Sequence, residues 1–252
     1  MTEGNGEACK MKVKPDRAGL NVFGPFLSAI LTILFVLSSF TARTCLATEK
    51  DGAIWINIEK NPIDGAPKGW ILKQWKGLAN FSVEDAPWGK AIRLKSHSTS
   101  SALYRDVTID IKQHPYLNWR WKAVKLPENG DVRKKSTDDQ AVQLYIVFPR
   151  FPPAFNNRVI GYIWDTNAPA GSMVTSTKTS TTRYVVVRTG GSGLGHWFNE
   201  RRNVYDDYKT LFKEDPPPVG SVSVMIDSDD TKSSAESLIS DIYFSKGMTS
   251  AK

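Results

Sequence analysis

Cysteine is almost missing from this chain of 252 residues: Cys9 and Cys45 are the only two, both within the first 47 positions. The rest of the chain therefore has neither disulfides nor a thiol nucleophile. Histidine is nearly as scarce. His97, His114 and His196 show no His-x-x-x-His or similar spacing, so a zinc site of the usual kind is not expected. No Gly-x-Ser-x-Gly is present, which removes the nucleophile elbow of common serine hydrolases. The glycines of residues 190–195 are wrongly spaced for a dinucleotide or P-loop turn, and a flexible hairpin is expected there. No βαβ alternation appears, which argues against a doubly wound sheet.

Long apolar runs are also lacking, with one exception near the start. Lys10, Lys12, Lys14 and Arg17 precede an apolar run densest from Phe26 to Phe40, and Cys45-Leu46-Ala47 offers small residues where a signal peptidase reads. Residues 1–47 are expected to be a signal peptide cleaved after Ala47, with Met11 as an alternative start. An uncleaved anchor is the other reading. The dense run is about fifteen residues, shorter than the roughly 20 that a spanning helix needs. The expected destination is export, to a periplasmic space. Residues 48–252 suffice for one sizeable core, and no linker or repeat divides them.

What remains is rich in alternation. Residues 142–148 put Val142, Leu144, Ile146 and Phe148 on one face and Gln143 and Tyr145 on the other, the pattern of a strand with one face in a core. Residues 117–124 set Trp119, Trp121 and Ala123 against Arg120 and Lys122; residues 158–165 set Ile160, Tyr162 and Trp164 against Val159, Gly161 and Ile163. Further strands are expected over residues 48–60, 91–95, 103–111, 183–188, 221–227 and 238–244, the last with Leu238, Ile242 and Phe244 inward. The Thr/Ser-rich residues 175–182 favour extended structure. One helix is expected within residues 201–212, where Val204, Tyr208, Leu211 and Phe212 share a face, and Pro216-Pro217-Pro218 prevents its continuation. Many short strands with one helix predict an all-β fold, a single antiparallel β-sandwich of the jelly-roll, galactose-binding-like kind.

Candidate ligand-binding residues follow from position. Asp138 and Asp139 lead into the clearest strand, where burial of carboxylates is costly unless they are hydrogen-bonded or bind a cation. Strand parity puts Asp139 on the face of Gln143 and Tyr145. Asp227 and Asp229 form an acid-rich turn that an Asx-type geometry explains; a structural Ca²⁺ held by Asp227, Asp229 and Asp241 is the metal alternative, although the Gly and distal Glu of an EF-hand are absent. Arg202 and Asp206 are spaced for a helical i, i+4 pair, and Arg202, Arg158 and Asp207 are candidates for ligand contact. Of the tryptophans, Trp119, Trp121 and Trp164 read as core, with Trp164 also a ligand candidate. Trp70, Trp75, Trp88 and Trp197 lie near turns; core is the default reading for each, and exposure is the alternative, in which a flat indole suits a sugar face.

Three segments carry a resemblance. They are Leu117-Asn118-Trp119-Arg120-Trp121-Lys122 with the downstream Asp138-Asp139, then Arg202-Asn203-Val204-Tyr205-Asp206-Asp207-Tyr208, and finally Pro216-Pro217 through Met225-Ile226-Asp227-Ser228-Asp229-Asp230-Thr231 to Asp241-Ile242. In this order they resemble the exported bacterial family known as domain of unknown function 3047. The family pattern reads Asp-Asn-Thr where this chain has Asp229-Asp230-Thr231. The resemblance implies an exported domain of about this length and supplies no activity. The closing segment is also similar to the last strand of galactose-binding-like jelly rolls.

Formal net charge is +7, with no cationic run longer than Arg133-Lys134-Lys135. For an exported protein such charge points to anionic glycans, lipid headgroups or wall polymer rather than nucleic acid. The expected function is therefore a non-catalytic binding domain for a glycan or envelope polymer, touching a membrane only through its N-terminal segment. Two alternatives stand beside it. One is a carbohydrate-active enzyme, as a hydrolase drawing on Asp139, Glu200, Asp207 and Asp227 or a lyase drawing on Tyr145, Tyr162, Arg158 and His196. The other is a structural partner in an envelope assembly.

Overall fold

A computed structural model describes residues 48–61, 66–152 and 156–247. The leader, its cleavage position, Met11 and both cysteines lie outside the described residues, as do the turn positions 62–65.

Among the described residues there are fourteen strands and one α-helix: β1 Thr48–Lys50, β2 Ala53–Trp55, β3 Ile71–Lys76, β4 Asn80–Ala86, β5 Gly89–His97, β6 Ser100–Ile109, β7 Tyr116–Lys125, β8 Val142–Phe148, β9 Arg158–Asp165, β10 Met173–Thr175, β11 Thr182–Thr189, β12 Phe198–Asn203, α1 Val204–Phe212, β13 Val219–Asp227 and β14 Ser234–Ser245. They form two sheets. In the first, β14 is central, flanked on one side by β7 and β12 and on the other by β5 and β4 and by β2 and β1. The second runs β10-β11-β9-β8-β13-β6-β3. Every pairing is antiparallel except β9 with β11. The fold is an antiparallel jelly-roll sandwich.

Alternation explains why these segments pair face to face. Leu117, Trp119, Trp121 and Ala123 of β7 meet Leu144, Ile146, Ile160, Tyr162 and Trp164 of the second sheet in one buried cluster. Its aromatic centre is close-packed: Trp119 and Trp121 lie edge to face at 5.3 Å, Trp119 and Tyr162 at 5.4 Å, Trp164 and Phe198 at 5.5 Å. Burying one large apolar side chain contributes about 1.5–3 kcal/mol, which suits a domain without disulfides.

Three local expectations are corrected. Arg201 and Arg202 lie on β12 rather than on the helix, because the Asn203 side chain accepts from Asp206 N and caps α1 at that point. Arg202 therefore meets Asp207, not Asp206. In β14, Asp241 has φ 48 and the register against β7 shifts between Ser240 and Tyr243. This bulge switches the strand's parity. Ala235 and Ile239 precede Ile242 and Phe244 in the core, while Leu238 stands outside that cluster. Finally, residues 175–182 are not continuously extended: Ser176 Oγ accepts from Lys178 N and Thr179 N and turns the chain between β10 and β11.

Candidate functional site

The outer face of the second sheet is concave and holds a cleft of about 940 Å³. Its floor follows from cross-strand register. Tyr104 of β6 lies opposite Ser223 of β13, Ser223 opposite Tyr145 of β8, Tyr145 opposite Gly161 of β9, and Gly161 opposite Tyr184 of β11. One line across five strands thus alternates a tyrosine with a small residue. Small residues let the rings lie down: a Cβ on Gly161 would stand 2.5 Å from Tyr145 Cε1 and 2.8 Å from Tyr184 Cδ1. At the edge of the cleft, Trp75 of β3 is 54% exposed, with Lys73 Nζ 4.9 Å from its ring centroid.

Polar contacts order this floor. Tyr145 Oη lies 3.3 Å from Tyr184 Oη and donates to Gln143 Oε1. Gln143 Nε2 donates to Asp227 Oδ1 at 2.8 Å, and Gln140 N donates to the same oxygen at 2.8 Å. Burial holds Asp227 well above the ordinary aspartate range, and the neighbouring Asp139 adds to the shift. Asp138, only 2% exposed, also lines the cleft. Its Oδ2 has no hydrogen bond, with Lys178 Nζ 3.8 Å away. Burial pushes the Asp138 carboxyl up to about 6 against the pull of Lys178 and Gln140. Burial works against the Lys178 ammonium as well, yet Asp230 at 2.6 Å and Asp138 outweigh it and hold its pKa above the lysine norm. The cleft thus combines a set of acidic acceptors, answered by Lys178 and by Lys76 with its Nζ 3.5 Å from Asp229, with rings lying over small side chains. Such a surface accepts hydroxyl hydrogens and stacks on flat apolar faces.

The residues singled out from the sequence divide among several places. Tyr145 and Asp227 line the cleft. Asp139 lies beneath it, fully buried, where it accepts from Asp230 N and Thr231 N. Asp138 takes the ligand-facing position expected of Asp139, because β8 begins only at Val142 and the preceding residues do not keep strand parity. Asp139, Asp227 and Asp229 bring carboxylate oxygens within 4.8 Å of one another and could hold a hard cation; Asp241 is not among them, being paired with Arg120 at 3.1 Å on the first sheet. Trp164 is core, its Nε1 donating to Gly190 O. Arg202, Asp207 and Tyr162 form a buried network, with Tyr162 Oη donating to Asp207 Oδ2 at 2.8 Å. Arg158 pairs with Glu214 and lies over Phe212. Of the residues named for catalysis, Asp139 and Asp227 lie together, whereas Glu200 accepts from Trp121 Nε1, Asp207 pairs with Arg202 and His196 sits exposed in the β11–β12 turn. Sequence reasoning passed over Tyr104 and Tyr184, whose signal was the parity of β6 and β11, and Lys178, which stands in the turn between β10 and β11 and has no strand period to mark it.

The family described as "Protein of unknown function (DUF3047)" matches residues 55–243. The chain belongs to this family. No curated protein matches the sequence. Among solved structures, this DUF3047 chain is similar to the family 30 carbohydrate-binding module of a cellulosomal cellulase of Clostridium thermocellum, at 12% identity over 78% of this chain and 99% of that one, with a TM-score of 0.45. It is similar to the family 11 carbohydrate-binding module from Clostridium thermocellum in complex with a β-1,3-1,4-mixed-linked tetrasaccharide, at 8% identity over 79% and 98%, with a TM-score of 0.44. The family 11 xylanase from Neocallimastix patriciarum follows at 10% identity over 74% and 95%, with a TM-score of 0.35.

Proposed function

We propose that this chain is an exported, periplasmic, non-catalytic binding domain whose ligand is a neutral, hydroxyl-rich glycan chain lying in the cleft. The observation that carries the reading is the pairing of an exposed indole, Trp75, and a row of tyrosines with the buried acceptor oxygens of Asp138 in the same cleft. A buried carboxylate oxygen without a donor is costly, and a sugar hydroxyl supplies the missing hydrogen. Stacking of a pyranose face on Trp75 and Tyr104 supplies apolar contact. Charge supports neutrality of the ligand. Lys73, Lys76 and Lys178 stand against Asp106, Asp138, Asp227 and Asp229 along the lining, so the cleft itself is not basic.

A panel of soluble neutral polysaccharides in affinity gels tests this. Retardation by at least one polymer is expected, with Trp75→Ala and Tyr104→Ala abolishing it. Unchanged mobility across the whole panel contradicts the reading.

One observation favours a second reading, a glycoside hydrolase: Asp138, held near 6, and Asp227 are carboxyls in different environments within one cleft, the arrangement of an acid with its partner. Release of reducing ends that disappears in Asp138→Asn would establish it, and silence on every polymer that binds would leave the binding domain.

A further inference from the structure

The outer face of the first sheet carries an array that the cleft does not use. Register lines up four strands there: Arg201 of β12 lies opposite Asn118 of β7, Asn118 opposite Tyr243 of β14, and Tyr243 opposite Trp55 of β2. Trp55 and Tyr243 stack at 4.3 Å with planes 25° apart. Beside them Arg120 lies over Trp88, 46% exposed, at 3.9 Å from the ring centroid, and Arg201 lies over Tyr116 at 3.9 Å. A second cavity of about 220 Å³ opens between Asn118, Arg120, Asn199, Arg201, Asp241 and Tyr243. Its volume is less than a quarter of the cleft's, a size that suits one sugar ring.

One of the two guanidinium groups at this cavity has no carboxylate. Asp241 answers Arg120 through Nε at 3.1 Å. Arg120 Nη1 is buried and has no hydrogen-bond acceptor, and Arg201 is in no ion pair among the described residues. Glu200 does not compensate, since its carboxylate accepts from Trp121 Nε1 and pairs with Arg188. The lining holds two guanidinium groups and two carboxylates, but with Asp241 on Arg120 and Glu200 committed to Arg188, Arg201 is left without a carboxylate beside the buried, unsatisfied Nη1 of Arg120. Leaving such a donor buried is costly, and a planar carboxylate is the group that matches a guanidinium fork.

We propose that this pocket is a second, independent site that binds the carboxylate of a uronic acid residue in an acidic glycan. The carboxylate sits between Arg120 and Arg201. The Asn118 and Asn199 side chains meet ring hydroxyls, and the stacked Trp55–Tyr243 pair lies beside the sugar as a flat apolar wall. An anionic lipid surface offers charge but no ring to occupy a pocket of one-sugar size next to stacked aromatics, so the glycan is the occupant.

The test is calorimetric titration of the full chain with short oligomers of galacturonate, glucuronate and mannuronate and with their methyl esters. At least one acid is expected to bind while its ester does not. Arg201→Ala should lower that affinity at least tenfold with an unchanged melting midpoint, because Arg201 is an exposed residue on an edge strand. Trp75→Ala should leave it unaltered, which separates this site from the cleft. The proposal is overturned if no acid binds, if acid and ester bind alike, if Arg201→Ala has no effect, or if Trp75→Ala removes binding. It is also overturned if Arg201 governs binding to phosphatidylglycerol vesicles while every uronate fails.

Discussion

Gly161 lies where two tyrosine rings close over the sheet, and a methyl group there would meet both at under 3 Å. Neither ring is free to retreat, since Tyr145 and Tyr184 are tied to each other and Tyr145 to Gln143. Gly161→Ala should therefore cost about 1–3 kcal/mol, the usual range for overpacking, and weaken glycan binding as well. Urea unfolding measures the first; an unchanged midpoint would mean that the rings shift without penalty. Asp138 makes a prediction about pH. Its folded pKa of about 6 lies above the ordinary 3.8, so between these values the folded chain holds a proton that the unfolded chain has released. Stability then falls as pH rises from about 4 to 6, by up to about 3 kcal/mol for a shift near two units. Asp227 and Asp165, also raised mainly by burial, act in the same direction. Asp138→Asn should flatten this part of the profile and raise stability at pH 7 relative to the parent. Parallel pH profiles for the two proteins would show that Asp138 does not carry the effect.

At the level of elements, α1 is fixed to the sheets by Val204 and Tyr208, which are buried in the core with Tyr208 against Phe148, and by one carboxylate. Asp207 accepts from Tyr162 Oη and from Arg202 Nε at 3.0 Å, and is itself buried. Asp207→Ala should cost about 3–5 kcal/mol, because it leaves a half-buried guanidinium without its partner. Thermal or denaturant unfolding checks this, and a loss below 1 kcal/mol would contradict it. Local pattern revealed β7, where burial alternates residue by residue, and β8, β9 and β13, whose apolar alternation survives although residues of their opposite face are also buried. It gave no sign of β3, whose six residues are all exposed along the sheet edge. There Lys73 and Lys76 protect an edge strand and leave no apolar period. It misassigned β12 for a different reason: the 3.6-residue period of α1 was extended backward through Arg201 and Arg202, and only the Asn203 cap marks the true start. The bulge at Asp241 was hidden because one left-handed residue changes parity without changing composition.

Across the whole molecule, the sequence disclosed the sandwich and part of the cleft. Tyr145 and Asp227 were visible from strand parity and the acid-rich turn; Trp75 was marked by turn proximity, where core was still the default, and its exposure is seen only in the structure. Tyr104, Tyr184 and Lys178 join them only through the pairing of β6, β13, β8, β9 and β11, which is long-range information that no local spacing contains. The formal charge of +7 pointed to an anionic ligand, but the cleft lining carries both signs. Neutral-glycan affinity should accordingly change less than twofold between about 0.05 and 0.5 M salt, where exposed charges are progressively screened; a tenfold loss would mean that charge drives that binding. The central claim is one of place, and indole footprinting tests it most directly. The chain is oxidised with and without the polysaccharide that retards it, and modification is mapped at each tryptophan. Trp75 should be protected by the ligand while Trp88, exposed on the opposite sheet, reacts at the same rate in both. Protection of Trp88 with Trp75 still reactive would contradict the account.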